Sequence, residues 1–136
     1  MTSRLSALIS AHLITVAGAP LQLRLTYAPT DPLAVRAVIL HAGTRLACWH
    51  FERQMLADGL VRPVGEGDVL FRPVDGADGR ALRIELRGAC PSGQGRAVLL
   101  ADADAVAAFL RRTYAVVAAE EESAHLDGLL DALLSR

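Results

Sequence analysis

The stretch "WHFERQMLADGLVRPVGEGDVLFRP", Trp49–Pro73, changes its hydrophobic period twice, and the two changes decide the fold class. Trp49 and Phe51 anchor the end of a strand. Phe51, Met55 and Leu56 then fall at i, i+4 and i+5 while Glu52, Arg53 and Gln54 turn away, which predicts a helix of about two turns. Asp58–Gly59 supplies a helix stop, and Pro63 prevents continuation. "GEGD", Gly65–Asp68, opens a further strand with Val69 and Phe71 on one face. So short a helix is marginal alone and must be held by packing against the sheet.

Strands surround this helix on both sides. Upstream, a first strand is expected over Ser3–Val16, and after "AGAP" the residues Leu21, Leu23, Leu25 and Tyr27 alternate with Gln22, Arg24 and Thr26. "APTDP" is a turn by composition, since Pro29 and Pro32 each fix φ and restrict the residue before. Strands at about 34–41 and 44–51 are joined by "HAGT", short enough for a hairpin. Downstream, "DGADG" leads to the clearest alternation in the chain, Leu82, Ile84 and Leu86 against Arg83, Glu85 and Arg87. A last strand, "RAVLLA", follows the "GACPSGQG" loop. Asp102 or Asp104 can cap a helix carrying Val106, Phe109, Leu110, Thr113 and Val117. A second C-terminal helix, about 122–134, shows Leu126, Leu129, Leu130 and Leu133 on one face. Gly128 inside it costs about 1 kcal/mol relative to alanine, which predicts close packing there. The class is α+β: about seven mainly antiparallel strands, a short mid-chain helix and two C-terminal helices.

Composition narrows the function. At 136 residues the chain suits a single domain spanning 1–136. A net charge of −1 gives no global attraction to phosphate backbones. Lysine is absent, which removes a P-loop lysine, a Schiff-base lysine and a Ser-Lys dyad together. Cys48 and Cys90 have no CxxC spacing and read as buried free thiols of a cytosolic protein. The start, "MTSRLSALISAHLITVAG", has one arginine and leads into "AGA" as a signal peptide would, but its apolar core never exceeds three residues, so a strand explains it better.

Candidate chemistry is sparse. His12, His41, His50 and His125 are scattered without ligand spacing. Asp127 and Asp131 form an i, i+4 carboxylate pair that reads as a solvated helix face. Ser92 lacks the surroundings of a nucleophile elbow. The glycines of "GEGD" and "GQGR" lead into strands rather than helices, so no anion-binding helix terminus follows them. Arg111 with Arg112, and Arg83 with Arg87, could touch nucleic acid, yet Glu85 separates the second pair and aromatics are only 4%, too few for a stacking platform. No enzyme, metal, cofactor or small-molecule substrate is expected.

Three segments carry more. "LTYAPTDPLAVRAVIL", "WHFERQMLADGLVRPVGEGDVLFRP" and "FLRRT" resemble the SsgA-like family of actinomycete sporulation and cell-division proteins. The matching positions include Tyr27, Asp31, Pro32, Trp49, Phe51, Arg53, Leu56, Gly59, Pro63, Gly65, Gly67, Asp68, Phe109, Leu110 and Thr113, in order over about 5–115. The resemblance implies a non-enzymatic regulator of sporulation-specific division, cytoplasmic and placed at septa, that recruits or controls the tubulin-like protein FtsZ or meets another family member. It also implies a bell-shaped trimer and a fold similar to the Whirly-type single-stranded nucleic-acid binders. The chain departs from the family pattern at "VVAAEEE" and at "CPSGQG".

Two function classes follow: an adaptor acting through protein contacts, and a nucleic-acid-binding module using a Whirly-like sheet. On the adaptor reading, Arg53 and Arg62 flank a small helix with an exposed face and are placed to meet an acidic partner. The face of Leu126, Leu129, Leu130 and Leu133 predicts self-association or burial within the chain, and the family resemblance implies that the assembly is a trimer.

Overall fold

A computed structural model describes residues 4–14, 18–76, 79–88 and 96–135, without the side chains of 119, 120 and 122–126. The expectations for Cys90, for Ser92 and its loop, and for the side chains of His125 and Leu126 lie outside the described residues. The elements are β1 (Leu5–Leu13), β2 (Ala19–Tyr27), β3 (Ala34–His41), β4 (Thr44–Glu52), α1 (Arg53–Gly59), β5 (Val64–Glu66), β6 (Val69–Gly76), β7 (Gly79–Arg87), β8 (Arg96–Asp102), α2 (Ala103–Val116) and α3 (Ala119–Leu134). The described sheet therefore has eight strands, one more than the sequence suggests, the addition being three-residue β5. The first strand is also shorter than expected among the described residues, ending at Leu13. Cys48 is half-exposed, so its thiol is not the buried one expected.

All eight strands are antiparallel, in the order β4-β3-β2-β1-β8-β7-β6-β5. Two four-strand meanders are thus joined where β1 pairs with β8 through Ala11↔Ala101, His12↔Leu100 and Leu13↔Leu99. β4 and β6 are six strands apart in this order, about 29 Å in a flat sheet at ~4.8 Å per strand. Yet the rings of Phe51 on β4 and Phe71 on β6 meet edge to face with centroids 5.0 Å apart. The sheet therefore curls until its two ends face each other.

Period-2 alternation selects what lies inside the curl. Ile9, Leu23, Leu25, Val35, Phe71, Leu82, Ile84 and Leu99 point inward and are buried, and α2 adds Val106, Phe109 and Leu110. The space left between Leu23, Ile39, Trp49, Phe51, Ile84 and Leu99 is about 10 Å³. That is at most one water, so this interior is a packed core and not a ligand cavity.

Turn chemistry fixes the registers. Ala42 at φ 49° and Gly43 at φ 82° join β3 to β4 with both central residues left-handed, as a type I′ turn requires. Between β5 and β6, Gly67 takes φ 61° and Glu66 pairs with Val69. Asp102 is the residue that caps α2, accepting from the backbone N–H of Asp104 at 3.0 Å and of Ala105 at 3.4 Å. Such a cap contributes about 1 kcal/mol.

Two glycines behave differently from expectation. Gly59 is not a left-handed stop: the cap of α1 is Leu60, with right-handed φ −73°. A Cβ at Gly59 would lie 2.5 Å from Phe71 Cβ, so the glycine lets α1 seat on β6. Gly128 faces open space, with nothing within 4 Å of where a Cβ would stand, so the close packing expected there is not made within the chain among the described residues.

Candidate functional surfaces

The helical pattern of 51–59 places Arg53 outside; the fold rotates that face inward. The buried residues of α1 are Arg53, Leu56 and Gly59, and Arg53 is 0% exposed. Its Nη1 donates to Val117 O at 2.7 Å and to Thr113 O at 3.2 Å, at the C-terminal end of α2. Its guanidinium carbon stands 4.0 Å from the Tyr114 ring centroid and 5.1 Å from that of Tyr27. A cation at a helix C-terminus meets the negative end of the helix dipole, and tyrosine faces stabilise it further. Arg53 therefore braces the interior and presents no side chain to a partner, which corrects the expectation of an exposed contact residue.

The other motif residues meet at the same place. Tyr27 Oη donates to Pro32 O at 3.0 Å, holding the "APTDP" turn, while Asp31 N donates to Ala28 O at 2.8 Å. Leu33 O in turn accepts from Arg53 N at 2.7 Å, tying that turn to the first residue of α1. Thr113 is fully buried, and its hydroxyl donates to Leu110 O at 2.8 Å. Leu56, Phe109 and Leu110 are buried around it, and Trp49 and Phe51 are partly buried against the same core. Pro63, Gly65, Gly67 and Asp68 form the approach to β6, where a Cβ at Gly65 would strike Leu70 Cδ2.

Outside, the charged groups are distributed unevenly. Arg62 is exposed, with 63% of its side chain accessible, and pairs with Asp58 at 3.3 Å. On the outer face of β7 the carboxylate of Glu85, 6% exposed, meets Arg83 and Arg96 at 3.4 Å and Arg87 at 3.3 Å. Register brings Arg72 opposite Arg83 and Arg96 opposite Arg87. The alternation of 83, 85 and 87 shows that these three share a face, but Arg72 and Arg96 join them only through strand pairing. On α3, Leu129, Leu130, Leu133 and Leu134 are exposed, so the described leucines are not buried within the chain. Asp127 and Asp131 share that helix, and among the described residues no group of three or more metal-ligating side chains gathers.

A family model for the Streptomyces sporulation and cell division protein SsgA matches residues 21–122. The chain belongs to the SsgA family. The match contains Tyr27, Arg53 and Thr113, three residues of the buried brace. Across the family, the Sporulation-specific cell division protein SsgB of Frankia casuarinae is 35% identical over 133 residues, covering 96% of this chain and 89% of the relative. That of Kineococcus radiotolerans is 42% identical over 120 residues, covering 88% and 69%. Among solved structures, an SsgB from work relating its mutations to longitudinal cell division during sporulation of Streptomyces coelicolor superposes with a TM-score of 0.80. It shares 34% identity over 92% of this chain and 97% of that one. An SsgA-like sporulation-specific cell division protein from Thermobifida fusca gives 0.76 at 32% identity, covering 99% and 98%. The chain is thus a member of a family of sporulation cell-division proteins. Among its described residues no helix is long and apolar enough to cross a membrane.

Proposed function

We propose that this protein is a non-catalytic adaptor of sporulation-specific cell division, acting at septum sites by protein contacts and recruiting or controlling FtsZ. The observation that carries this reading is where the family motif goes. Tyr27, Arg53, Leu56, Phe109, Leu110 and Thr113 are all buried and hold α1 and α2 onto the sheet, so the motif specifies a scaffold. What the scaffold displays is an exposed leucine face on α3 and an arginine-rich sheet face, both of which suit macromolecular contact. The leucine face supports self-association, a trimer being the assembly favoured by family resemblance.

Sedimentation of GTP-assembled FtsZ with the purified chain tests the reading. The adaptor should pellet with the polymers and stay in the supernatant without them. A chain that ignores FtsZ but binds a labelled single-stranded oligonucleotide at micromolar concentration and ~150 mM salt would replace the adaptor with the nucleic-acid-binding reading.

A further inference from the structure

We infer that the outer face of β5–β8 is a docking surface for an extended acidic segment of a partner protein that carries one apolar side chain among its carboxylates. The inference rests on the adaptor reading and adds to it a surface and a partner chemistry. Four arginines, Arg72, Arg83, Arg87 and Arg96, occupy one face near the carboxylate of Glu85, with Asp102 the other carboxylate on that face of β7 and β8 among the described residues, on a chain whose net charge is −1. Glu85 orders three of them without neutralising the group. Each guanidinium carries five N–H donors, and Arg87 and Arg96 remain 58% and 61% accessible beyond their shared pair with Glu85. Arg72 is exposed and makes no ion pair among the described residues. The patch is therefore prearranged for carboxylates it does not itself contain.

The apolar requirement comes from the same face. A groove of about 390 Å³ lies beside the arginines, formed by Pro63, Val64, Gly65 and Leu70 with Arg72 and Arg83 on its wall. The missing side chain at Gly65 helps shape it, because any Cβ there would collide with Leu70. Arg83 and Arg87 are four residues apart on β7, about 13 Å at ~3.3 Å per residue. An extended peptide covers the same span in four residues, so acids at i and i+4 can reach both arginines while an intervening side chain enters the groove. A protein segment fits this face better than a nucleic acid. The described tryptophan, tyrosines and phenylalanines pack in or against the core, so none offers a stacking platform beside the arginines.

The test is fluorescence anisotropy with the full chain and three labelled probes: an acidic peptide with a central leucine, the same peptide with serine for leucine, and a thymidine oligonucleotide. At ~150 mM salt the leucine peptide should bind at least tenfold more tightly than the serine peptide and the oligonucleotide. Arg72→Glu with Arg96→Glu should weaken it by tenfold or more; if that pair melts early, Arg72→Gln with Arg96→Gln should still weaken it several-fold. Glu85→Gln should tighten it. Equal affinity for both peptides, preference for the oligonucleotide, or indifference to the arginine variants would each overturn the inference. Co-sedimentation separates it from the adaptor reading. FtsZ binding that survives Arg72→Glu with Arg96→Glu, combined with no peptide binding, would defeat this surface and leave the adaptor intact. Peptide binding of the expected selectivity without any FtsZ binding would support the surface and defeat the FtsZ reading.

Discussion

Truncating Arg53 to alanine removes a guanidinium that donates at 2.7 and 3.2 Å to the carbonyls of Val117 and Thr113 and stands against the rings of Tyr114 and Tyr27. Hydrogen bonds to charged groups contribute about 1.5–3 kcal/mol each, and desolvated cation–π contacts up to about 2. Against these gains stands the cost of keeping the guanidinium out of water, so the sum is not the net effect. The truncation takes this donor from the buried Val117 carbonyl, at about 1–3 kcal/mol, and empties the space of a large buried side chain, at about 2–3 kcal/mol more, so a loss of about 3–5 kcal/mol is expected here. Two-state stability of a domain is about 5–15 kcal/mol, so the variant loses a large share of it and melts roughly 10–20 °C lower. Urea unfolding followed by Trp49 fluorescence measures the loss directly. Arg62→Ala is the internal control, since its exposed i, i+4 pair with Asp58 contributes only about 0.3–0.5 kcal/mol. Arg53→Lys should fall between, because an ammonium cannot reproduce the planar fork. An Arg53→Ala protein within about 1 kcal/mol of wild type would refute the brace.

Other variants probe the remaining structure. Gly59→Ala should destabilise by about 1–3 kcal/mol in thermal melts, because its Cβ would sit 2.5 Å from Phe71 Cβ and overpack the α1–β6 contact. Ala42→Gly should stabilise by up to about 1 kcal/mol, since alanine at φ 49° is strained where glycine is not; an unchanged or lowered melting temperature would contradict this. Leu130→Glu with Leu133→Glu should shift light-scattering mass toward a monomer if α3 mediates assembly, and a wild-type protein already monomeric at tens of micromolar would exclude that role. Arg62→Glu should leave stability within about 0.5 kcal/mol of wild type and weaken FtsZ co-sedimentation if this exposed arginine meets the partner.

Much of the sheet is legible from local pattern because alternation reports directly which face is buried. Leu82, Ile84 and Leu86 are inside, and Leu21, Leu23, Leu25 and Tyr27 likewise. β5 is not legible, because three residues are too few to display a period. Arg53 defeats pattern reading for a different reason. A charge is assigned outward by default, and the groups that make its burial possible lie 60 and 64 residues away along the chain. The same holds for the arginine face: the spacing of 83, 85 and 87 is local, but the addition of Arg72 and Arg96 depends on two strand registers. Gly59 is visible in the sequence as a special position, but its reason is a contact with Phe71 and not a backbone angle.

The central claim, an adaptor that acts where septa form, is tested most directly by imaging a fluorescent fusion together with labelled FtsZ in sporulating cells. The account predicts that the fusion collects at septum sites and that deletion of the gene disperses or misplaces the FtsZ rings. A fusion that stays diffuse throughout sporulation, with rings normally spaced after deletion, would contradict it.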